Sequence, residues 1–312
     1  MSVDNKSSSK HRILVVDDEE DIHQITKISL KGLRYLGKRL EFLFATSGRE
    51  AVEIMEREPN IGVVLLDVVM ESNTAGLDAC KEIREKLHNS LVRILLRTGQ
   101  PGAAPEKNVI QEYDIDGYLP KAELTSVRLF TAVRTSLKAY CELMELERHK
   151  HNLSAIHNCV ISLLSYEPVE STLERILDTV MTICPSPLAA FHLETFDEDG
   201  NSQQYFLYRS PNEDKARAQA DAEHIRMHIA ANMGSLNMEE SQALENGFMV
   251  PIKMDHELGY GWIYVEDPDP DEIVRQSLPL LAAHGANALY AAVTQAIMSN
   301  RERGEFFDHI QI

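Results

Sequence analysis

Short runs of apolar residues alternate with amphipathic stretches over residues 12–121. The apolar runs are typical of strands, and the stretches between them have helical spacing. Val, Ile and Leu fill the first, third and fourth runs continuously, as expected for strands that are covered on both faces. The alternation predicts an α/β, doubly wound fold with a five-stranded parallel sheet. The predicted strands are residues 12–16, 41–45, 63–67, 92–96 and 117–120, with helices near 20–36, 48–57, 75–87 and 103–113.

From about residue 123 the pattern becomes long and helical. Phe130, Leu137 and Met144 repeat every seven residues, the polar stretch 147–152 interrupts this stripe, and apolar positions resume from Leu153 in a shifted phase. Two interpretations are open. The stretch is either the last helix of one domain followed by the first helix of the next, or one continuous helix that also pairs with a second copy of the chain.

The second half of the chain has the pattern of an α+β domain. Residues 188–210 read as two strands around the turn "DEDGN", and residues 247–267 read as a second hairpin with "DHELG" at its tip. Residues 214–231 and 274–300 read as helices. The predicted organisation is a disordered tail at 1–11, a first domain at 12–125, a helical linker at 126–164, a second domain at 165–300 and a tail at 301–312.

Composition narrows the classes of function. The 49 acidic residues against 31 basic ones give a net charge of −18, which repels nucleic-acid backbones, so we expect no direct binding of nucleic acid. Because the sequence contains no apolar stretch of membrane-spanning length and no secretory signal, we expect a cytoplasmic protein without membrane contact. The four cysteines lack close pairing, which favours reduced and mostly buried thiols.

Polar residues follow the predicted strands where each strand ends. Asp17 and Asp18 come after the first strand, Asp67 ends the third, Thr98 follows the fourth and Lys121 follows the fifth. The carboxyl ends of parallel strands meet at one edge of the sheet, where sites in such folds form. We call these five residues the acidic rim and expect them to converge.

Three carboxylates at one edge need a positive counter-charge. Mg²⁺ prefers oxygen ligands and is typically held by one or two carboxylates together with water and phosphate oxygens. Asp17, Asp18 and Asp67 would supply such a site, and the backbone carbonyl of Val69 would complete it. An aspartate near bound Mg²⁺ and an ammonium group is suited to carrying a phosphoryl group.

Residues 12–125 resemble the receiver domain of two-component response regulators, which has a flavodoxin-like fold. The resemblance rests on the stretches "ILVVDDEE", "VVLLDVVM", "RILLRTG" and "DGYLPKAEL". The resemblance implies that the phosphoryl donor is a phosphohistidine on a partner sensor histidine kinase or a phosphotransfer protein. It further implies that Asp67 accepts the phosphoryl group and that Asp17 and Asp18 are the acidic pair that binds Mg²⁺. Thr98, Tyr118 and Lys121 would be the switch residues.

Two positions depart from the pattern of that family. Such domains often place proline after the methionine that follows the acceptor, but here Met70 is followed by Glu71, and Gly76 comes later. The lysine is often followed by proline, but here Ala122 follows Lys121, so we expect a trans peptide bond at this point. Neither departure removes a reacting group.

Residues 165–300 resemble a GAF-like domain through "LERILDTVM", the second hairpin and the closing helix. The pair of domains also resembles a subclass in which they precede a cyclic-di-GMP phosphodiesterase module. The chain lacks the HHExxDGxGYP signature of those enzymes, so we expect no output enzyme here. The main expectation is a homodimeric response regulator that acts through protein contact. The alternatives are the regulatory part of a phosphodiesterase, or a sensor of an unidentified small ligand bound by the GAF-like domain.

Overall fold

The computed structural model describes most of the chain in two compact units, residues 1–147 and 148–312. The described residues are 10–58, 60–99, 113–164, 167–184, 186, 188–196, 200–210, 220, 222–227, 239–254, 258–267 and 270–303. Predicted features outside them include the N-terminal tail at 1–9, most of the helix at 103–113 and part of the tip of the second hairpin.

The first unit is a sheet with helices on both faces. The elements are β1 (Lys10–Val16), α1 (Glu20–Ser29), β2 (Arg34–Tyr35), β3 (Lys38–Ala45), α2 (Gly48–Arg57), β4 (Ile61–Asp67), α3 (Ala75–Lys81), a π-helical turn (Glu82–Lys86), β5 (Arg93–Thr98), β6 (Gly117–Pro120), a 3₁₀ turn (Lys121–Glu123) and α4 (Ser126–Leu163). The strands lie in the order β2-β3-β1-β4-β5-β6, and all neighbours are parallel except β2 and β3.

The predicted parallel strands are present, and β1 begins at Lys10 within the stretch predicted to be a disordered tail. The prediction missed a sixth strand. The helix predicted over 20–36 ends at Ser29, and β2 then pairs with β3 through a two-residue turn at Leu36 and Gly37. Both turn residues have positive φ, of 48° and 75°, as a tight hairpin of this type requires. The helix predicted over 75–87 is α-helical only to Lys81 and then becomes a π-helical turn.

Apolar clusters cover both faces of this sheet. Alternate residues of β1, such as Leu14 and Ile13, face opposite clusters, because successive strand residues point to opposite sides. One cluster includes residues of α2 and α3, and the other includes Leu30 and Leu33, which follow α1, and residues of the first part of α4. All seven residues of β4 are buried, which fits its position at the centre of the sheet.

The second unit contains a five-stranded antiparallel sheet packed with helices. Its elements are α5 (Val169–Ile183), β7 (Ala189–Phe196), β8 (Ser202–Arg209), β9 (Gln242–Leu244), β10 (Gly247–Lys253), β11 (Gly259–Val265) and α6 (Glu272–Arg303). The strands lie in the order β8-β7-β11-β10-β9. The two predicted hairpins are present, and β9 was not predicted. Within the helix predicted at 214–231, residues 222–227 are helical.

The helix α4 runs without interruption from Ser126 to Leu163, so the first alternative of two separate helices is wrong. In the second unit its last part joins α5, α6 and one sheet face in a large apolar cluster that includes Ile156 and Cys159. The four cysteines are free, as expected, and three of them are buried. In the described part of the chain, no helix is both long and apolar enough to cross a membrane.

A close backbone approach joins β4 to α3 beside the acidic rim. A Cβ added to Gly76 would lie 2.0 Å from the carbonyl oxygen of Asp67 and 3.0 Å from the Cα of Val68. The Gly76 amide also donates to the Val68 carbonyl at 3.1 Å. Only glycine permits this contact, which fixes the end of the strand that carries Asp67.

Replacing Gly76 with alanine is therefore expected to lower the free energy of unfolding by about 1–3 kcal/mol or more, the usual cost of overpacking. Denaturant unfolding followed by circular dichroism measures the change. Gly99→Ala is the control, because an added Cβ there has nothing within 4 Å. Equal stability of the Gly76 variant and the wild type would contradict this packing argument.

Candidate functional site

The structure brings the residues of the acidic rim together at the carboxyl edge of the first sheet. Asp17 and Asp18 directly follow β1, Asp67 ends β4, Thr98 ends β5, and Lys121 directly follows β6. One oxygen from each of the three carboxylates lies within 4.8 Å of the others. Asp17 and Asp67 are buried, whereas Asp18 is exposed. The three carboxylates and Lys121 are therefore close together in this structure, and Thr98 ends the strand next to the one that carries Asp67.

Lys121 is the ammonium group of the rim. Its Nζ donates to Asp67 Oδ2 at 2.9 Å and lies 3.3 Å from Asp17 Oδ2. Burial alone would lower the pKa of Lys121, but the hydrogen bond and charge of Asp67, together with Asp17, outweigh it and raise the pKa. Lys121 therefore stays protonated and bridges two of the three carboxylates.

Asp67 has one oxygen that is buried and unpartnered. Its side chain is 4% exposed, Oδ2 accepts from Lys121, and Oδ1 has no hydrogen-bond partner among the residues described. Burial raises the pKa of Asp67, and the opposing effect of Lys121 does not cancel this rise. A buried carboxylate oxygen without a partner is costly, so Oδ1 is the atom of the rim best placed to receive a ligand.

The other predicted residues lie on the two strands that follow β4 in the sheet order and on the loop after Asp67. Thr98 is buried at the end of β5. Tyr118 is half-buried on β6, opposite Leu96 in the strand register, and packs against the apolar cluster that includes residues of α2 and α3. Val69 is exposed on the loop that follows Asp67. The Lys121–Ala122 peptide bond is trans, as expected.

Glu71, which departs from the resembled pattern, has a defined contact. Its two carboxylate oxygens accept from the backbone amide of Gly48 at 3.0 and 3.2 Å. This amide opens α2, and a carboxylate at a helix N-terminus is stabilised by the unpaired amides and the helix dipole. Glu71 therefore connects the loop after Asp67 to the start of α2.

Sequence reasoning missed one charged residue of the site, Arg97. It is 2% exposed, and its Nη2 donates to Asp17 Oδ2 at 3.0 Å. In the stretch "RILLRTG", Arg97 is a charged residue within a predicted apolar strand. Such a position predicts a buried partner of opposite charge, because arginine is almost never fully buried unless it is paired. Three carboxylates therefore meet two resident cations.

These donors fit a divalent cation. Mg²⁺ takes oxygen ligands, and the rim offers the exposed Asp18 carboxylate close to Asp67, whose Oδ1 is unpartnered among the described residues. Asp17 contributes charge, although its oxygens already accept from Arg97 and from the backbone amide of Glu19. The second unit offers no comparable cluster of three ligands among its described residues.

Comparison with known proteins agrees with this picture. Residues 13–134 match the family model of the response regulator receiver domain. Residues 133–290, about half of the chain, match the model described as domain of unknown function DUF3369.

Two curated relatives and one solved structure are similar to parts of the chain. The 3′3′-cGAMP-specific phosphodiesterase 2 of Vibrio cholerae is 39% identical over 180 residues, which cover 58% of this chain and 34% of the relative. The CAI-1 autoinducer sensor kinase/phosphatase CqsS of the same species is 40% identical over 83 residues, 27% of this chain and 11% of the relative. The chain thus spans about a third or less of these relatives. The signal receiver domain of an HD domain-containing protein from Pseudomonas fluorescens covers 43% of this chain and 98% of its own, at 22% identity and a TM-score of 0.37.

The environment of Asp67 makes a prediction about stability. A raised pKa in the folded state means that the protonated form favours folding, and this contribution is lost as pH rises through the raised value. Asp67→Asn mimics the protonated form, so it is expected to raise the melting temperature at pH 7 without Mg²⁺. A gain of about 1 kcal/mol corresponds to roughly 2–4 °C in a protein of this size.

The gain should shrink as pH falls through the raised pKa of Asp67 and vanish below the ordinary range of aspartate, because the wild-type carboxyl group is then protonated too. Asp18→Asn is the matched control and is expected to leave the melting temperature unchanged, since Asp18 is exposed. A destabilised Asp67→Asn variant at pH 7 would show that the bond to Lys121 outweighs the cost of burial.

Proposed function

We propose that this chain, which belongs to the DUF3369 family and carries a response regulator receiver domain, accepts a phosphoryl group on Asp67 in a two-component phosphorelay. The observation that carries the proposal is the unpartnered Oδ1 of Asp67, held beside the ammonium group of Lys121. The donor would be a phosphohistidine of a sensor histidine kinase or of a phosphotransfer protein. We expect the reaction to take place in the cytoplasm.

The proposed reaction is a transfer from nitrogen to oxygen. Asp67 Oδ1 attacks the phosphorus, a P–O bond forms and the P–N bond of the phosphohistidine breaks. The electron pair leaves on the imidazole nitrogen of the donor. Lys121, already 2.9 Å from the other oxygen of Asp67, stabilises the negative charge on the transferred group.

Magnesium is the proposed cofactor. Asp17, Asp18 and Asp67, with the carbonyl of Val69, would hold it, and when bound it would neutralise charge on the phosphoryl oxygens. Burial of Asp67 supports the same reaction, because charges interact more strongly where water is excluded.

Thr98 and Tyr118 are the proposed switch. Thr98 is at the end of the strand beside Asp67, so a small shift brings its hydroxyl towards a phosphoryl oxygen. Tyr118 lies on the neighbouring strand β6 and is only half-buried, which leaves room for its ring to repack when Thr98 moves. The surface near β6 would then change and alter contacts with protein partners.

The output is proposed to be protein contact, including association with a second copy of the chain. The helix α4 begins in the receiver domain and ends in the second unit, so it links the two along the chain. It exposes apolar side chains at Val127, Leu146, Leu153 and Ile161, which a dimer would cover. We also propose that the second unit is GAF-like, a class supported by its antiparallel sheet packed against helices.

The proposal predicts that incubation with acetyl phosphate and Mg²⁺ adds the mass of one phosphoryl group to the intact chain. Fragmentation should place this group on Asp67, because its Oδ1 is the free buried nucleophile. Asp67→Asn should gain nothing, and Asp18→Asn should react more slowly while retaining the modification site. An equal gain in mass by the Asp67→Asn variant would rule the proposal out.

A second candidate function is the sensing of a small ligand by the second unit. One face of its sheet is aromatic: His192 stacks on Trp262 with ring centroids 5.4 Å apart, and Tyr260 meets Trp262 edge-on at 5.4 Å. His192 Nε2 and Trp262 Nε1 are buried and have no hydrogen-bond partner in the described structure. Burial lowers the pKa of His192, so its ring is neutral at pH 7. Unpartnered polar atoms in a buried aromatic cluster favour a planar ligand that offers both a donor and an acceptor.

Trp262 is the only tryptophan of the chain, so its fluorescence reports directly on this buried cluster. We expect AMP, GMP, 3′3′-cGAMP or haem to give a saturable change in fluorescence and a matching rise in melting temperature. His192→Phe keeps the stacked ring but removes Nε2, and should weaken binding about tenfold or less. If none of these probes changes either signal, ligand sensing at this face is excluded for these classes.

The similarity to a 3′3′-cGAMP-specific phosphodiesterase supports a further proposal on context. Receiver and DUF3369 domains would then regulate hydrolysis of a cyclic dinucleotide by a catalytic module elsewhere. We expect this chain alone to hydrolyse no cyclic dinucleotide.

A further inference from the structure

Arg97 is a buried cation beneath the acidic rim. Its Nη1 donates to Thr26 Oγ1 at 3.0 Å, and its Nη2 donates to Asp17 Oδ2 at 3.0 Å. Thr26 belongs to α1 and is 1% exposed. The guanidinium is thus fixed between a helix and a carboxylate that is proposed to bind metal.

The ion pair is not explained by stability alone. Both partners lie out of water, with Arg97 2% and Asp17 0% exposed. The Arg97 Nε is buried and lacks a hydrogen-bond partner within the described residues. Buried ion pairs rarely stabilise a fold more than well-packed apolar residues would, and an unpartnered N–H adds a further cost. The adjacent Leu95 and Leu96 show that apolar side chains suit this strand.

The pair occupies the same carboxylate that a metal would need. Asp17 Oδ2 meets Arg97 at 3.0 Å and Lys121 at 3.3 Å, while Oδ1 accepts from the Glu19 amide at 3.1 Å. Asp17 therefore brings a charge that is already compensated. A divalent cation at the rim would be repelled by a guanidinium and an ammonium group in a partly buried setting, where such repulsion is weakly screened.

We propose that Arg97 is a positioning residue that fixes Asp17 and lowers the affinity of the acidic rim for Mg²⁺. This inference rests on the proposed function. It means that the free receiver domain binds Mg²⁺ weakly, and that the negative charge of an incoming phosphoryl group raises the affinity. Metal binding and phosphoryl transfer would thereby be coupled.

The test is calorimetric titration of the full chain with MgCl₂, without any phosphoryl donor. Arg97→Met removes the positive charge of Arg97. It is expected to tighten Mg²⁺ binding about tenfold, because the bound cation is then repelled by one positive charge fewer. Arg97→Lys retains the charge and should bind Mg²⁺ like the wild type. Thr26→Val removes one hydrogen bond from Arg97 but no charge, so it should also match the wild type.

The direction of the change separates this role from a structural one, because damage to the site weakens binding. Equal or weaker Mg²⁺ binding by a folded Arg97→Met variant would overturn the inference. If that variant does not unfold cooperatively, Arg97→Gln, which keeps a donor for Asp17, takes its place with the same expectation.

The acetyl phosphate assay on the same samples distinguishes a failure of the role proposed for Arg97 from a failure of the proposed function. Labelling of Asp67 with unchanged Mg²⁺ affinity in the charge-removing variants overturns only the role of Arg97. Lack of both labelling and Mg²⁺ binding in every variant, the wild type included, overturns the proposed function and the inference together.

Discussion

The first unit depends on how two cations compensate three carboxylates at one sheet edge. Lys121 bridges Asp67 and Asp17, and Arg97 holds Asp17 from beneath. Without these cations, Asp17 and Asp67 would be buried charges with no compensation, which folded proteins avoid. Among the described residues, the arrangement leaves the buried Oδ1 of Asp67 without a hydrogen-bond partner, so this oxygen can still accept a ligand.

The sequence alone predicted the parallel strands and the convergence of the rim, because both follow from hydrophobic periodicity and from where strands end. It did not predict how the charges balance. The expectation assigned compensation to a divalent cation and one ammonium group, whereas the structure supplies a second cation, Arg97, from inside β5. Its side of the strand follows from the two-residue period, but its partner on β1 depends on tertiary packing, which no local pattern records.

Other misses have similar causes. The β2–β3 hairpin is only two residues deep, too short for a periodic signal, although the positive φ at Gly37 is consistent with its glycine. Glu71 was noted as a departure, but its contact with Gly48 connects residues 23 apart in the chain. The continuity of α4 through the polar stretch was open because charged residues break an apolar stripe without breaking a helix.

The central claim is that Mg²⁺ binds at this charge-compensated edge of the receiver domain. The most direct measurement uses Mn²⁺ in place of Mg²⁺ and follows paramagnetic broadening of backbone amide signals in a ¹⁵N-labelled chain. Broadening is expected to centre on the amides of Asp17, Asp67 and Val69, to be reversed by excess Mg²⁺ and to be weaker in Asp67→Asn. Broadening spread over exposed acidic residues elsewhere, with none at this edge, would contradict the claim.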